Sequence, residues 1–288
     1  MSRSGTRPDR VVDAHLHLWD PAHVDWYPHL SRNRPGTNMS RQRRLYDHDA
    51  YLTDAGTWNV VKYVHVAAAV SPFMAAETDE REEWRLARGH PDAIVGGLDP
   101  AQSTADNLRL LDQQLESSRC FRGVRVMGEG GVPDVEILRA LDERGLVLDV
   151  MAKADGLHVV ATAISQWGEL TVVIEHCGWP RDNSDDEYRL WRAGMAALAA
   201  AGEHVHCKLS GLAMPFQTID TTTFRPWIEY ALEAFGVDRC MFASNFPVDA
   251  MYGTFDDLYS TYDDLTANFG ATAREKLFAS NAERVYSC

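Results

Sequence analysis

No run of apolar residues in this chain approaches the roughly 18 to 20 that a membrane-spanning helix needs. Its start, "MSRSGTRPDR", has no apolar segment of the kind a secretory signal carries. The sequence therefore predicts a soluble, cytoplasmic protein. Positive charge is also scarce: 28 Lys and Arg stand against 42 Asp and Glu, a formal net charge of -14. A field of that sign repels nucleic-acid phosphates and anionic lipid, so neither a nucleic acid nor a membrane surface is an expected partner. The basic run "SRNRPGTNMSRQRR", Ser31 to Arg44, reads as a solvated loop. The five cysteines, Cys120, Cys177, Cys207, Cys240 and Cys288, are odd in number and form no CxxC pair. That excludes a disulfide framework and leaves buried free thiols as the expectation, since four of them lie in or beside predicted strands. A Gly-rich dinucleotide turn after the first strand is missing too. "GEGG" at Gly128 to Gly131 follows the fourth strand and lacks the GxGxxG spacing. No Pro-, Gly- or Ser-rich linker divides the chain, so one domain over residues 1–288 is expected.

What is present is a repeat of short apolar runs, each followed by a segment with helical spacing. The runs are "RVVDAHLHL", "VVKYVHVAAAV", "AIVGGLDP", "FRGVRVM", "GLVLDVMAK", "LTVVIEHCG", "HVHCKLSGL" and "RCMFASNFPV". Helices are predicted at "AAETDEREEWRLARGH", "TADNLRLLDQQLESS", "VEILRALDERG", "LHVVATAISQWG", "EYRLWRAGMAALAAAG" and "FRPWIEYALEAFG". Strands that are apolar on both faces belong in a parallel sheet covered by helices. Eight such units in a chain somewhat longer than about 250 residues predict an α/β fold, a closed (β/α)8 TIM barrel. The segment from Trp19 to Asp47 becomes a long loop over one mouth.

Residues two apart in a strand share a face, so His15 and His17 present two imidazoles together at the C-terminal end of the first strand. Barrel enzymes place their sites at that end. His176, before a Gly and close to a Pro at the end of the sixth strand, holds the matching position and is a third imidazole candidate. Two or three of these imidazoles could hold one divalent cation, zinc or manganese, although catalytic zinc normally has three protein ligands and an open position, and a metal-independent site is the alternative. Arg125 and Lys208 are cations inside apolar strands. They read either as internal ion pairs with an acid such as Asp99 or Asp149, or as clamps for a substrate carboxylate or carbonyl. His65 reads as a hydrogen-bonded core histidine or a substrate-binding group. By strand alternation Glu175 points away from His176, toward the helices. Trp19, Trp26, Tyr27 and Trp179 are candidates to line the mouth.

"VVDAHLHLWDP", "IEHCGWP", "CKLSGL", "FASNFPVD" and "NAERVY", in this order from Asp13 to Tyr286, resemble the amidohydrolase-related lactonases of the amidohydrolase superfamily. The resemblance implies a distorted (β/α)8 barrel that hydrolyses a lactone or similar ester-like bond at a site built from His15, His17, His176 and the residue at 245. Metal-dependent members of that superfamily usually place a Lys or Glu after the fourth strand, or a His after the fifth, and an Asp after the eighth. Here the fourth strand ends in "VRVM", the fifth in "VMAKADG", and the eighth carries Asn245. An amide has no proton-accepting role near neutral pH. Asn245 is then expected to stabilise an oxyanion, and Asp249, His176 and Asp20 become the candidate bases. The competing readings are a lyase or isomerase on the same barrel, such as a decarboxylase or lactone isomerase, and a non-catalytic ligand-binding barrel. A small-molecule substrate is expected, and a homo-oligomer is compatible with the sequence without any interface being marked.

Overall fold

The computed structural model describes residues 7–32, 39–126 and 131–288. The "GEGG" run lies outside the described residues except for Gly131. Eight strands, β1 (Val11–Leu16), β2 (Val60–Val66), β3 (Ala93–Leu98), β4 (Phe121–Val126), β5 (Val147–Val150), β6 (Val172–Ile174), β7 (Val205–Leu209) and β8 (Cys240–Phe242), pair in parallel in chain order. Closure comes from the ends of the outer strands: Leu16 bridges Phe246 in parallel, His17 N donates to Phe246 O at 2.8 Å and Asn245 N to His15 O at 2.8 Å. This is a (β/α)8 TIM barrel, distorted where β6 and β8 shrink to three residues each.

Alternation along the strands sorts the core. Val11, Leu16, Ile94, Leu148, Val172, Ile174, Cys207 and Phe242 face the helices. Val12, Val64, Val66, Val95, Val147, Val173 and Met241 form the barrel interior, joined from below by Ala282, Val285 and Tyr286 of the C-terminal helix Asn281–Tyr286. Higher in the same interior rows stand Arg125, Asp149, Glu175 and Lys208, each two residues on from a neighbour of inward parity. Most barrels fill such layers with branched apolar side chains. Here the upper layer is polar and buried, so its groups must satisfy one another or a ligand.

The six expected helices are Met74–Arg88, Thr104–Ser117, Val135–Glu143, Leu157–Ile164, Asp185–Ala200 and Thr221–Phe235. Ser103, Ser184 and Asp220 each accept from a backbone N–H of the first turn, the capping chemistry that starts a helix. The loop after β1 is tied at its base by an antiparallel bridge, Trp19 N to Tyr46 O at 3.0 Å and Tyr46 N to Trp19 O at 2.9 Å. Of the cysteines, Cys177, Cys207 and Cys240 are buried free thiols, whereas Cys120 and Cys288 are only partly covered. No helix among the described residues is long and apolar enough to cross a membrane.

Candidate active site

His15 and His17 meet at the C-terminal mouth with their Nε2 atoms 3.3 Å apart. His17 Nδ1 lies 2.7 Å from the Val66 carbonyl, an acceptor only, so Nδ1 carries the proton and Nε2 keeps its lone pair. His15 Nδ1 lies 3.4 Å from Lys208 Nζ and 3.5 Å from Glu175 Oε1. His176 brings its ring centroid to 4.6 Å from that of His15, and its Nδ1 pairs with Ser210 Oγ at 3.1 Å. Burial holds all three imidazoles well below the ordinary histidine range. Lys208 adds to this at His15, and Arg125 at His17 and His176. They are therefore neutral near pH 7, the form that ligates metal.

Glu175 corrects the expectation that it faces the helices. It continues the inward parity of Val173, lies fully buried, and approaches His15, Arg125 (Nη1 to Oε2, 3.5 Å) and His176 (Nε2 to Oε2, 3.8 Å). Alternation fails for its neighbour instead. β6 ends at Ile174, and His176 and Cys177 take left-handed backbone conformations (φ 52° and 55°) that swing the His176 ring back over the same mouth. Gly211 makes room for it: a Cβ there would lie 2.6 Å from His176 Cγ, and its φ of +67° already disfavours any other residue.

The donor set fits a divalent cation. His15, Glu175 and His176 offer ligand atoms within 4.8 Å of one another. Two imidazole nitrogens on one tetrahedral zinc, at about 2.0–2.1 Å each, stand about 3.3 Å apart, the spacing seen between His15 and His17. Glu175 Oε1 has no hydrogen-bond partner among the described residues. It is placed either to ligate or to receive Nδ1–H of a ligating His15, as carboxylates behind metal-bound imidazoles do.

Arg125, Asn245 and the mouth of the loop complete the site. A cavity of about 270 Å³ is lined by His17, His29, Arg125, His176 and Asn245, with Trp19, Trp179, Met151 and Met214 among its apolar walls. Arg125 is almost wholly buried, and its Nε has no hydrogen-bond partner among the described residues. Asn245, at φ 55°, donates from Nδ2 to Asp249 Oδ1 at 2.9 Å and points the same nitrogen toward Met214 Sδ at 3.7 Å. Burial pushes the Asp249 carboxyl up to about 8, the Asn245 hydrogen bond only partly opposing it. Asp13 clamps this turn to β1 by accepting from Ser244 N at 2.8 Å, and is itself held by the Tyr51 hydroxyl at 2.8 Å.

Other expected residues sit elsewhere. Lys208 forms a buried ion pair with Asp149 at 2.5 Å, under the Tyr286 ring, and does not line the cavity. That is the internal pairing rather than the substrate clamp. Tyr286 Oη also donates to Asp149 at 2.8 Å. His65 is buried and its Nδ1 accepts from Leu18 N at 3.1 Å, fixing the backbone just past the two histidines without reaching the cavity. Asp20 caps its own turn through Ala22 N at 2.8 Å. Asp249 lies behind Asn245 and is not in the lining. Trp19 and Trp179 are walls, whereas Trp26 stacks on His23 at 4.0 Å and Tyr27 is buried against Glu77 and Arg81. Neither spacing nor strand position marks His29; the only sign of it is the density of aromatic and imidazole groups in "HVDWYPH". A larger cleft of about 640 Å³ between the loops after β4 and β5 contains none of the histidines of this cluster.

A parallel barrel with paired histidines at the end of its first strand, a third after the sixth and a turn after the eighth that closes on them defines the class of amidohydrolase-like barrel enzymes. The chain belongs to the amidohydrolase family, whose model matches residues 12–288. It is 30% identical over 296 residues to protein y4mH of Sinorhizobium fredii, covering 96% of this chain and 98% of that one. It is 29% identical over 307 residues to L-fucono-1,5-lactonase of Burkholderia multivorans, covering 96% and 95%. Among solved structures, an amidohydrolase from Burkholderia multivorans with bound Zn superposes with a TM-score of 0.82 at 24% identity, over 96% of this chain and 99% of that one. The fold extends to 2,6-dihydroxybenzoate decarboxylase from Rhizobium, with a TM-score of 0.63 at 15% identity over 98% and 99%. The fold therefore hosts more than one reaction, and the chemistry must be argued from the site.

Proposed function

We propose that this protein hydrolyses a small cyclic ester, a lactone. The observation that carries the reading is the convergence of three neutral imidazoles, His15, His17 and His176, with Glu175 at the barrel mouth, beside a cavity whose polar lining is His17, His29, Arg125, His176 and Asn245. The relatives named as lactonases support it. In this reading the unpartnered edge of Arg125 donates to the substrate carbonyl or a neighbouring carboxylate. Asn245, its nitrogen held by Asp249, presents its carbonyl oxygen to water. That is an acceptor role in place of the oxyanion donor expected from the sequence. Trp19 and Trp179 shield the ring from solvent. His15, His17 and His176 would hold a divalent cation, zinc or manganese, with Glu175 joining or orienting them. Such an ion supplies Lewis acidity toward a carbonyl oxygen. Lys208 and Asp149 keep the floor of the site charged and rigid.

The test is ring-opening, followed by proton release, over a panel of sugar 1,5-lactones, aryl lactones and simple δ-lactones, with purified protein before and after chelation and metal return. Turnover of any member supports the reading. No turnover with every member, in the presence of zinc and of manganese, sinks it. Parallel assays of hydroxybenzoate decarboxylation address the one competing reaction that Asn245 favours, since a lyase needs no acid at that position to deprotonate water.

A further inference from the structure

The Nδ1–H tautomer of His17, which leaves the Nε2 lone pair in the histidine cluster, depends on where the Val66 carbonyl stands. Val66 ends β2, and the last ladder bond there runs from Ala67 N to Val95 O at 2.8 Å. Just beyond it the chain is held by Glu77, a fully buried carboxylate on the helix Met74–Arg88. Both of its oxygens accept from Ala68 N at 3.1 Å, and Oε2 accepts from Ala69 N at 3.0 Å.

The same carboxylate faces the strand and the loop on either side. Tyr27 Oη, from the loop after β1, donates to Glu77 Oε1 at 3.1 Å. His65 of β2 accepts from Leu18 N on Nδ1 at 3.1 Å, and burial keeps its imidazole neutral, so the ring proton sits on Nε2. That nitrogen has no hydrogen-bond partner among the described residues, and it lies 3.8 Å from Glu77 Oε1. The residue after His17 and the acceptor of the His17 ring therefore both lead back to Glu77. Burying a carboxylate is costly unless several donors meet it, and here the donors come from the two segments that hold His17.

We infer that Glu77 is a positioning residue: by fixing the chain beyond Val66 and facing His65, it holds His17 in the Nδ1–H tautomer. Its importance for turnover rests on the lactone hydrolysis proposed above. Glu77 is not among the described residues lining the cavity, whereas Ala68, whose N–H it accepts, is. It acts through the backbone and touches no reacting atom.

The experiment records 15N-histidine spectra of full-length wild type, Glu77→Gln, Glu77→Asp and Glu77→Leu near neutral pH, chelated so that no ion fixes the tautomer. The His17 signals are assigned with His17→Gln. On the lactone that wild type opens fastest, kcat and KM are measured for the same proteins. Glu77→Gln keeps an oxygen for the Ala68 and Ala69 N–H groups, so its His17 should stay Nδ1–H and its kcat should remain within about threefold of wild type. Glu77→Asp and Glu77→Leu withdraw that oxygen. Their His17 should become a mixture of tautomers, with kcat down about 10-fold or more and KM within about threefold. If Glu77→Leu does not fold, Glu77→Asp decides alone. A His17 that stays wholly Nδ1–H in the folded Asp or Leu variant overturns the role of Glu77, as does a mixed tautomer with kcat within about threefold of wild type. Loss of the tautomer in Glu77→Gln as well overturns its hydrogen-bonding basis. Each of these results leaves the lactonase reading standing. A wild type that opens no lactone overturns that reading, while the spectra still decide whether Glu77 sets the tautomer.

Discussion

Replacing Asp249 with asparagine tests whether the acid behind Asn245 is held in its neutral form. Asp249 is fully buried, its Oδ2 has no partner among the described residues, and burial pushes its carboxyl from 3.8 up to about 8. Because the folded state binds the proton more tightly than the unfolded chain, the stabilisation from the neutral acid is complete below about pH 4. It is lost as pH rises to about 8, beyond which it no longer changes. With about 1.4 kcal/mol per pKa unit, the loss between pH 5 and pH 8 comes to about 3 to 4 kcal/mol. The amide that replaces the carboxyl in Asp249→Asn still accepts from Asn245 and cannot ionise. Urea unfolding at pH 5, 6, 7, 8 and 9 should therefore show wild type losing that amount relative to Asp249→Asn, with the two curves parallel above about pH 8. A difference between the two proteins that stays constant within about 1 kcal/mol from pH 5 to pH 8 would refute the reasoning. It would mean that Asp249 is ionised and compensated.

Three further outcomes follow from the same geometry. Lys208→Met leaves the Asp149 carboxylate buried with only the Tyr286 hydroxyl, so unfolding free energy should fall by about 3–5 kcal/mol, and adding Asp149→Leu should restore most of it. A single-variant loss under about 1 kcal/mol contradicts the buried pair. Gly211→Ala drives a methyl group into the His176 ring and should cost about 1–3 kcal/mol together with most of the activity; a fully active variant of normal stability would show that the ring is free to move. Arg125→Leu removes the cation facing the cavity and should raise the KM for a lactone about 10- to 100-fold, the worth of a charge-assisted hydrogen bond; an unchanged KM argues that Arg125 serves Glu175 alone.

The barrel is readable because each of its parts obeys a local rule. Inward and outward apolar residues alternate, helices begin at Ser103, Ser184 and Asp220, and the eight runs recur in one order. Helices His48–Ala55 and Phe255–Leu265 carry the same signals, an Asp47 cap and a Thr254–Asp257 capping box, but fall outside the strand–helix repeat. His15 and His17 are readable from a spacing of two, and their Nε2 atoms do meet. Glu175 keeps the inward parity of Val173, and it is His176 that escapes the pattern, because period-two reasoning assumes that the strand continues. Whether β6 stops at Ile174, and whether His176 adopts a left-handed conformation, depends on close packing against Gly211 rather than on local pattern. Lys208 is ambiguous for a related reason: a lone cation in an apolar strand shows that it must be paired, not which acid from which strand supplies the pair. His29 is the hardest case, since its place over the mouth is set by tertiary contacts of Tyr27, Leu30 and Trp19 that have no period at all.

The most direct test of the central claim, that the converging histidines form a hydrolytic site, is kcat/KM for lactone opening by wild type, His17→Ala and His176→Ala, each checked for folding. The account predicts measurable hydrolysis by wild type and a loss of about 100-fold or more in both variants, with native-like spectra. Equal activity in folded variants, or a wild type inert toward every lactone tried, would contradict it.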